Sequence, residues 1–402
     1  MSMRLQMLLL GQVEPHDSIH NDRYQSDRRY ITQNTSYFPS RLCFIFVVCD
    51  YCTQPQHCIR WRSNVFVLFT DTLTYLLMTH IELILVDVSN DVLADIANGS
   101  SIRFNELVDK CLTHCSSAES FPVCASIVKR TSWFGGKTME RKETIQECQA
   151  KLAARLKHSL SSYVRIQDKY LHLTSLLLKS QAFHLAMATK NDRPIIDLPK
   201  SRKGKPYIPG NDSFQFSVSH QYPFAGIAQC RTNNKTRVGF DIVVFEKLNT
   251  ILYKSPEEFV EVFQSNFAAS EWNAIQAATH VIQEFYLRWA IKEAYTKAVG
   301  DGMSFEFSSF ETKLNHVETS LWDYVSTRPN GCFISGTVCL LTTNQIEPWS
   351  FYFHELRSGT ELTGYLCTCS ESPEMSDEKT IYHEMSWWLI RDVADWHSSI
   401  SD

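Results

Sequence analysis

Three residues combine types and spacing that could do chemistry: Asp241, Glu293 and Lys297. Asp241 lies in the apolar run RVGFDIVVF, Arg237 to Phe245, flanked by Val238, Phe240, Ile242 and Val243. A carboxylate in such a strand must be paired, protonated or bound to a cation, because an isolated buried charge is very costly. Glu293 and Lys297 are four apart in the helix-patterned run QEFYLRWAIKEAYTKAV, Gln283 to Val299, so both point to one side of that helix. Hard oxygen ligands from a strand and a helix, with a lysine one turn away, suit Mg²⁺ carrying a phosphate. Taken alone, the helix pair is better explained as an ordinary surface salt bridge.

A second constellation is KSRKGKP, where Lys200, Arg202, Lys203 and Lys205 surround Gly204, followed by the strand-like SVSH, Ser217 to His220. Several cations on a flexible backbone can wrap phosphates; a solvated basic turn has the same composition. His220 at a strand end is either a phosphate donor or a satisfied structural histidine. A third set, Cys49, Cys52, His57 and Cys58, has zinc-ligand types but no second spaced pair, so it reads as structural or incidental. There is no nucleophile elbow, Walker-type loop, HExxH or dinucleotide glycine motif.

The elements that must carry these residues follow from periodicity. FQFSVSH and FAGIAQC alternate as strands around a turn at Gln221 to Pro223, and Arg237 to Phe245 forms another strand. The helix that carries Glu293 ends at Gly300, as helices often do. Helical patterns also run from about Glu140 to Leu156 and through DKYLHLTSLLLKSQAFHLAM. Further strands are expected in VCASIVKR, SFEFSSFETKL, GCFISGTVCLL and WSFYFHEL. Residues 14 to 40 are polar and loop-like, 41 to 115 show no clear period, and from about Glu371 the chain reads as an acidic, Ser-rich tail.

The whole chain has 402 residues, with 39 Lys plus Arg against 44 Asp plus Glu and a net charge of −5. A mainly electrostatic grip on nucleic acid is therefore excluded. Thirteen cysteines, an odd count without regular spacing, fit reduced thiols and a cytosolic protein. No cleaved signal is read at the N-terminus. The most apolar run, Val65 to Val88, is interrupted by Asp71, His80, Glu82 and Asp87, so buried structure rather than a membrane span is expected.

Read together and in order, KGKP, FSVSH, VGFDIV and FYLRWAIKEAYTKAVGDG resemble the 4'-phosphopantetheinyl transferases, most closely the long, monomeric, pseudo-two-fold animal aminoadipate-semialdehyde type. FAASEWNAI and GMSFEFSSFE resemble that family's helix before and strand after the catalytic helix. The resemblance covers about residues 121 to 371. It implies an α+β fold of two similar lobes, 121–235 and 236–370, with an N-terminal extension, 1–120, and a tail, 371–402.

The same resemblance implies a holo-[acyl-carrier-protein] synthase. Such an enzyme moves the 4'-phosphopantetheine of coenzyme A to a serine of an apo carrier protein and releases adenosine 3',5'-bisphosphate. The partners would be acyl- or peptidyl-carrier domains of the fatty acid synthase and aminoadipate reductase type, the latter a link to lysine biosynthesis via aminoadipate. Asp241 and Glu293 then match the Mg²⁺ ligands, Glu293 also the base, and Lys297 the phosphate-contacting lysine. Lys200, Ser201, Arg202, Lys203, Gly204 and Lys205, with Ser217, Val218, Ser219 and His220, match the coenzyme-binding segments. Val243 stands where bacterial members have a further acidic ligand, so water would serve there. Leu176 stands where an arginine reaches the nucleotide phosphates, with Lys169 and Lys179 as substitutes. The competing expectation is an inactive carrier-binding or scaffold protein of the same fold.

Overall fold

The structure, a computed structural model, describes residues 80–113, 145–188, 195–231, 236–246, 248–300, 305–318, 320–371 and 382–398. The chain divides into two compact units, Met1–Leu77 and Met78–Asp402, and every described residue belongs to the second. The cysteine cluster, the strand expected in VCASIVKR and the polar segment 14 to 40 lie outside the described residues.

The described elements run β1 (His80–Asp87), α1 (Ser89–Ala97), α2 (Ile102–Thr113), α3 (Ile145–Ser161), α4 (Ile166–Ala186), β2 (Phe214–Gln221), β3 (Phe224–Arg231) and β4 (Val238–Val244). They continue with α5 (Pro256–Glu261), α6 (Ala269–Ala277), α7 (Val281–Val299), β5 (Phe310–Leu314), α8 (Leu321–Ser326), β6 (Cys332–Leu340), β7 (Gln345–Ser358), β8 (Glu361–Glu371), β9 (Tyr382–Leu389) and α9 (Ile390–Ser398). This is the expected α+β class. The strands form two sheets, one in the order β2-β3-β1-β9 and the other β4-β8-β7-β6-β5.

Two parts of the first sheet were not anticipated. β1 comes from the stretch read as an extension and pairs antiparallel with β3, Leu83 opposite Ala228. β9 comes from the stretch read as a tail and pairs parallel with β1, Leu83 opposite Met385. The end of the Val65 to Val88 run is thus a central strand, whose residues Ile81 and Leu83 to Val86 are buried. Burial on both faces explains why it lacks alternation.

Those two faces feed two cores. Ile84 and Val86 pack with Phe216, Ile227 and the inner side of α4, including Leu173 and Leu177. Ile81, Leu83 and Leu85 join Phe224, Ala228, Phe240, Ile242 and Leu366, so one core spans both sheets. α4 is helical because apolar residues recur through its middle and no proline interrupts it; Leu171 to Leu178 and Ser180 to His184 are buried, apart from His172. α7 sits among aromatic rings, with Trp289 against Phe263, Phe285 and Phe307, and Tyr295 against Phe310 and Trp349. Gly300 stops it in the left-handed region at φ 80°, where glycine carries no Cβ penalty.

Candidate active site

β2 and β4 are the terminal strands of their sheets, and they meet side by side through side chains. The Phe240 N–H donates to Ser217 Oγ at 3.1 Å, and the Val244 N–H to Gln221 Oε1 at 2.9 Å, while Gln221 Nε2 donates to the Val244 carbonyl at 3.2 Å. Edge amides that would otherwise lack partners are satisfied in this way. Period-two geometry places Ser219 between Ser217 and Gln221 on the same face of β2. It therefore stands opposite Asp241, and Ser219 Oγ donates to Asp241 Oδ1 at 2.8 Å.

α7 closes on the same point. A Cβ at Gly239 would lie 1.8 Å from the Ala294 carbonyl oxygen, so only glycine lets the helix approach β4 this closely. Gly239 and Asp241 share a face of β4. Lys297 Nζ reaches Asp241 Oδ1 at 2.6 Å and Ser219 Oγ at 2.8 Å. The surface bridge between Glu293 and Lys297 considered from spacing alone is replaced by a bridge from Lys297 across to the strand.

Glu293 is buried one turn earlier on α7. Desolvation raises its pKa to about 7; Asp241 pushes the same way, and Lys297 partly opposes them. Asp241 and Glu293 are thus two carboxylates near enough to feel each other's charge, and Lys297 is bonded to the first of them. Among the described residues no group of three His, Cys, Asp or Glu could hold a metal. Two carboxylates with only oxygen donors do fit Mg²⁺, which keeps waters and takes phosphate oxygens for its other positions. The ammonium on Asp241 shows that this place favours positive charge. Val243 is buried on β4, so it adds no ligand.

The other expected residues are divided. Lys200, Ser201, Arg202, Lys203 and Gly204 lie exposed on a tight turn in which the Gly204 N–H donates to the Ser201 carbonyl at 2.9 Å. Lys205 turns inward. Its ammonium donates to the carbonyls of Val238 at 3.2 Å and Ala298 at 2.9 Å, tying the turn to β4 and to the last turn of α7. Burial lowers its pKa to about 8. Val218 packs against the core that includes Phe216, Ile227 and the inner side of α4, away from Ser217 and Ser219.

His220 is an exposed residue near the end of β2 whose imidazole is nonetheless desolvated by surrounding protein. That desolvation, followed by the charges of Lys297, His172 and Lys179, lowers its pKa to about 4. His172, on α4, is lowered to about 4 by burial and by Lys179 and Lys200, and it bonds Ser159 Oγ at 3.0 Å and Tyr163 Oη at 3.3 Å. A run of basic groups therefore extends from Lys200 past Lys179, His172 and His220 to Lys297. Leu176 is in the core and adds nothing to it, whereas Lys179 is a member; Lys169 is half-buried in the first turn of α4. His172 and Gly239 were not singled out from sequence. The signals were there: His172, Leu176 and Lys179 fall on one helical stripe, and the glycine stands two residues before the aspartate.

Residues 237–338 match the 4'-phosphopantetheinyl transferase superfamily. That stretch holds β4, α7 and the Asp241–Lys297 bridge between them. The L-aminoadipate-semialdehyde dehydrogenase-phosphopantetheinyl transferase of Xenopus laevis is 33% identical over 128 residues, 30% of this chain and 40% of the frog protein. The Homo sapiens protein of the same name is 31% identical over 128 residues, again 30% of this chain and 40% of the relative. A 4'-phosphopantetheinyl transferase gsp of Aneurinibacillus migulanus is 27% identical over 207 residues, 52% of this chain and 70% of that protein. The matched part spans less than half the length of the two animal transferases.

Proposed function

We propose that this protein is a 4'-phosphopantetheinyl transferase that uses Mg²⁺ and coenzyme A to modify a serine of an apo carrier protein. The observation that carries the reading is the Asp241–Ser219–Lys297 cluster with Glu293 buried beside it. These are elements of two sheets converging on a point that the fold alone has no need to charge. In this reading the lobes divide near residue 235, with the first enlarged by β1 and β9, and coenzyme A bridges them.

The serine oxygen bonds to the β-phosphorus, the phosphoanhydride P–O bond breaks, and adenosine 3',5'-bisphosphate leaves. Asp241 and Glu293 would hold Mg²⁺, which when bound neutralises the pyrophosphate and steadies charge on the leaving oxygen. Glu293, one turn before Lys297 on α7, takes the serine proton. Lys297 is held toward the transferring phosphate by Asp241 and Ser219 and stabilises its charge. Lys200 to Gly204 gather the coenzyme phosphates, and His220 donates at the cleft edge. Lys205 supports the turn from below.

The carriers would be acyl- or peptidyl-carrier domains like those of fatty acid synthase and aminoadipate reductase, met by a monomer in the cytosol. No described helix is long and apolar enough to cross a membrane. An inactive scaffold would have no use for a lysine fastened between a serine and a buried carboxylate. Incubation with coenzyme A, Mg²⁺ and an apo acyl carrier protein, followed by intact mass, tests the reading. A gain of one phosphopantetheine on the carrier is expected, and an unmodified carrier returns the chain to the scaffold class.

A further inference from the structure

Immediately before Glu293 on α7 stands a lysine turned about 100° away from it. The side chain of Lys292 is 0% exposed and its partner Glu271 3%. Lys292 Nζ lies 2.6 Å from Glu271 Oε2, 2.9 Å from the Phe307 carbonyl and 2.6 Å from the Phe310 carbonyl, so all three of its N–H donors are used. The ammonium also lies 4.0 Å from the centre of the Phe310 ring. Glu271 is equally committed: it accepts from the Ala268 N–H at 3.1 Å and the Thr312 N–H at 2.9 Å. One ion pair thereby joins the start of α6, the turn before β5, β5 itself and the middle of α7.

A dry ion pair of this kind adds little stability over well-packed apolar residues, since the cost of desolvating two charges offsets their attraction. What it supplies is direction. Greasy side chains tolerate a few degrees of helix rotation, whereas an ammonium shared among one carboxylate and two carbonyls does not. Consecutive helical residues diverge by about 100°, so fixing the direction of Lys292 fixes that of Glu293. At the other end of α7, Glu284 accepts from Arg288 at 2.7 Å, Ser320 Oγ at 3.0 Å and the Trp322 N–H at 2.8 Å, which pins the first turns. The near face of the helix meets β4 at Gly239, where a Cβ would come within 1.8 Å of it, so little rotation is available there either.

We propose that Lys292 and Glu271 are positioning residues for the transfer, the buried pair setting the roll of α7 that turns Glu293 and Lys297 toward Asp241. The inference rests on the functional reading above. It assigns work to two residues that touch neither the coenzyme turn nor the Asp241 cluster.

The test compares the full-length wild type, Lys292→Met, Glu271→Gln and the double variant Glu271→Gln/Lys292→Met. Melting temperature, kcat and KM for coenzyme A are measured at saturating Mg²⁺ and carrier, at a temperature where each protein is folded. The single Lys292→Met leaves a buried carboxylate unpaired and lowers the melt; the double variant regains much of it. Its kcat nonetheless stays roughly a hundredfold below wild type, the scale of a displacement of about 1 Å at the reacting groups. KM for coenzyme A stays within about twofold, because the turn Lys200 to Gly204 that gathers its phosphates keeps its place. Glu271→Gln, which keeps one acceptor oxygen for the Ala268 or Thr312 amide and puts an NH2 in place of the other, shows a smaller fall in kcat at unchanged KM. Wild-type kcat in the double variant or in Glu271→Gln, or a change confined to KM, overturns the positioning role while the transferase reading stands. If wild type itself transfers nothing, the reading fails and this inference fails with it.

Discussion

Two lysines five residues apart on α7 each lie 2.6 Å from a carboxylate, yet they occupy opposite regimes. Lys292 and Glu271 are sealed in, and every donor and acceptor is matched within the fold. Lys297 and Asp241 keep 27% and 8% of their side chains exposed, and Glu293 beside them carries a pKa displaced to about 7. The first arrangement is finished; the second can still take a cation, a phosphate or a proton. The difference shows why ion-pair distance alone does not distinguish structure from chemistry: the surroundings of the pair decide.

The strongest break in that comparison is Asp241→Ala. Turnover and Mg²⁺ dependence should vanish while the melt holds or rises, since a carboxylate kept for a cation is a liability to the fold without it. Retained turnover in a metal titration would remove Asp241 from the site. Lys297→Ala should lower turnover about a hundredfold, the scale for one preorganised charge-stabilising donor, with a nearly unchanged melt. If the loss appears instead in thermal denaturation, Lys297 belongs with Lys292.

Lys292→Met should do the reverse in stability, costing about 3–5 kcal/mol by leaving Glu271 buried and unpaired, as read from urea unfolding. The smallest effect concerns Glu293. Its folded pKa is raised above the unfolded value, so its stabilising contribution is present below about pH 4.5 and lost as pH rises to about 7. Metal-free wild type should lose melting temperature across that window, and Glu293→Gln should flatten the slope; parallel profiles for the two proteins would contradict the shift.

Much of this site was legible in the sequence because its carriers have strong local signals. α7 announces itself by helical spacing and a terminal glycine, and β4 by an apolar run with one carboxylate at its centre. The motifs KGKP, FSVSH and VGFDIV supplied order along the chain. What could not be read depends on long-range burial. β1 lacks alternation because both its faces are covered, and β9 becomes a strand only by pairing with residues some 300 positions earlier. Lys205 reads as one more cation of a basic turn, and only the fold shows it bonded to Val238 and Ala298. Likewise, nothing in WAIKEAYTK distinguishes the lysine sealed against Glu271 from the one that reaches Asp241, except the helical steps between them, whose origin the fold must set.

The seam between β2 and β4 also bears on how two sheet edges are kept from other chains. An open sheet edge is a template for a strand from another chain. Here each edge is blunted by the other, through Ser217 and Gln221 rather than through a backbone ladder. Side chains in this seam therefore also keep these two edges from a strand of another chain. Loosening them, as in Ser217→Ala with Gln221→Ala, should be felt first as turbidity in concentrated solution, before any loss of catalysis is noticed.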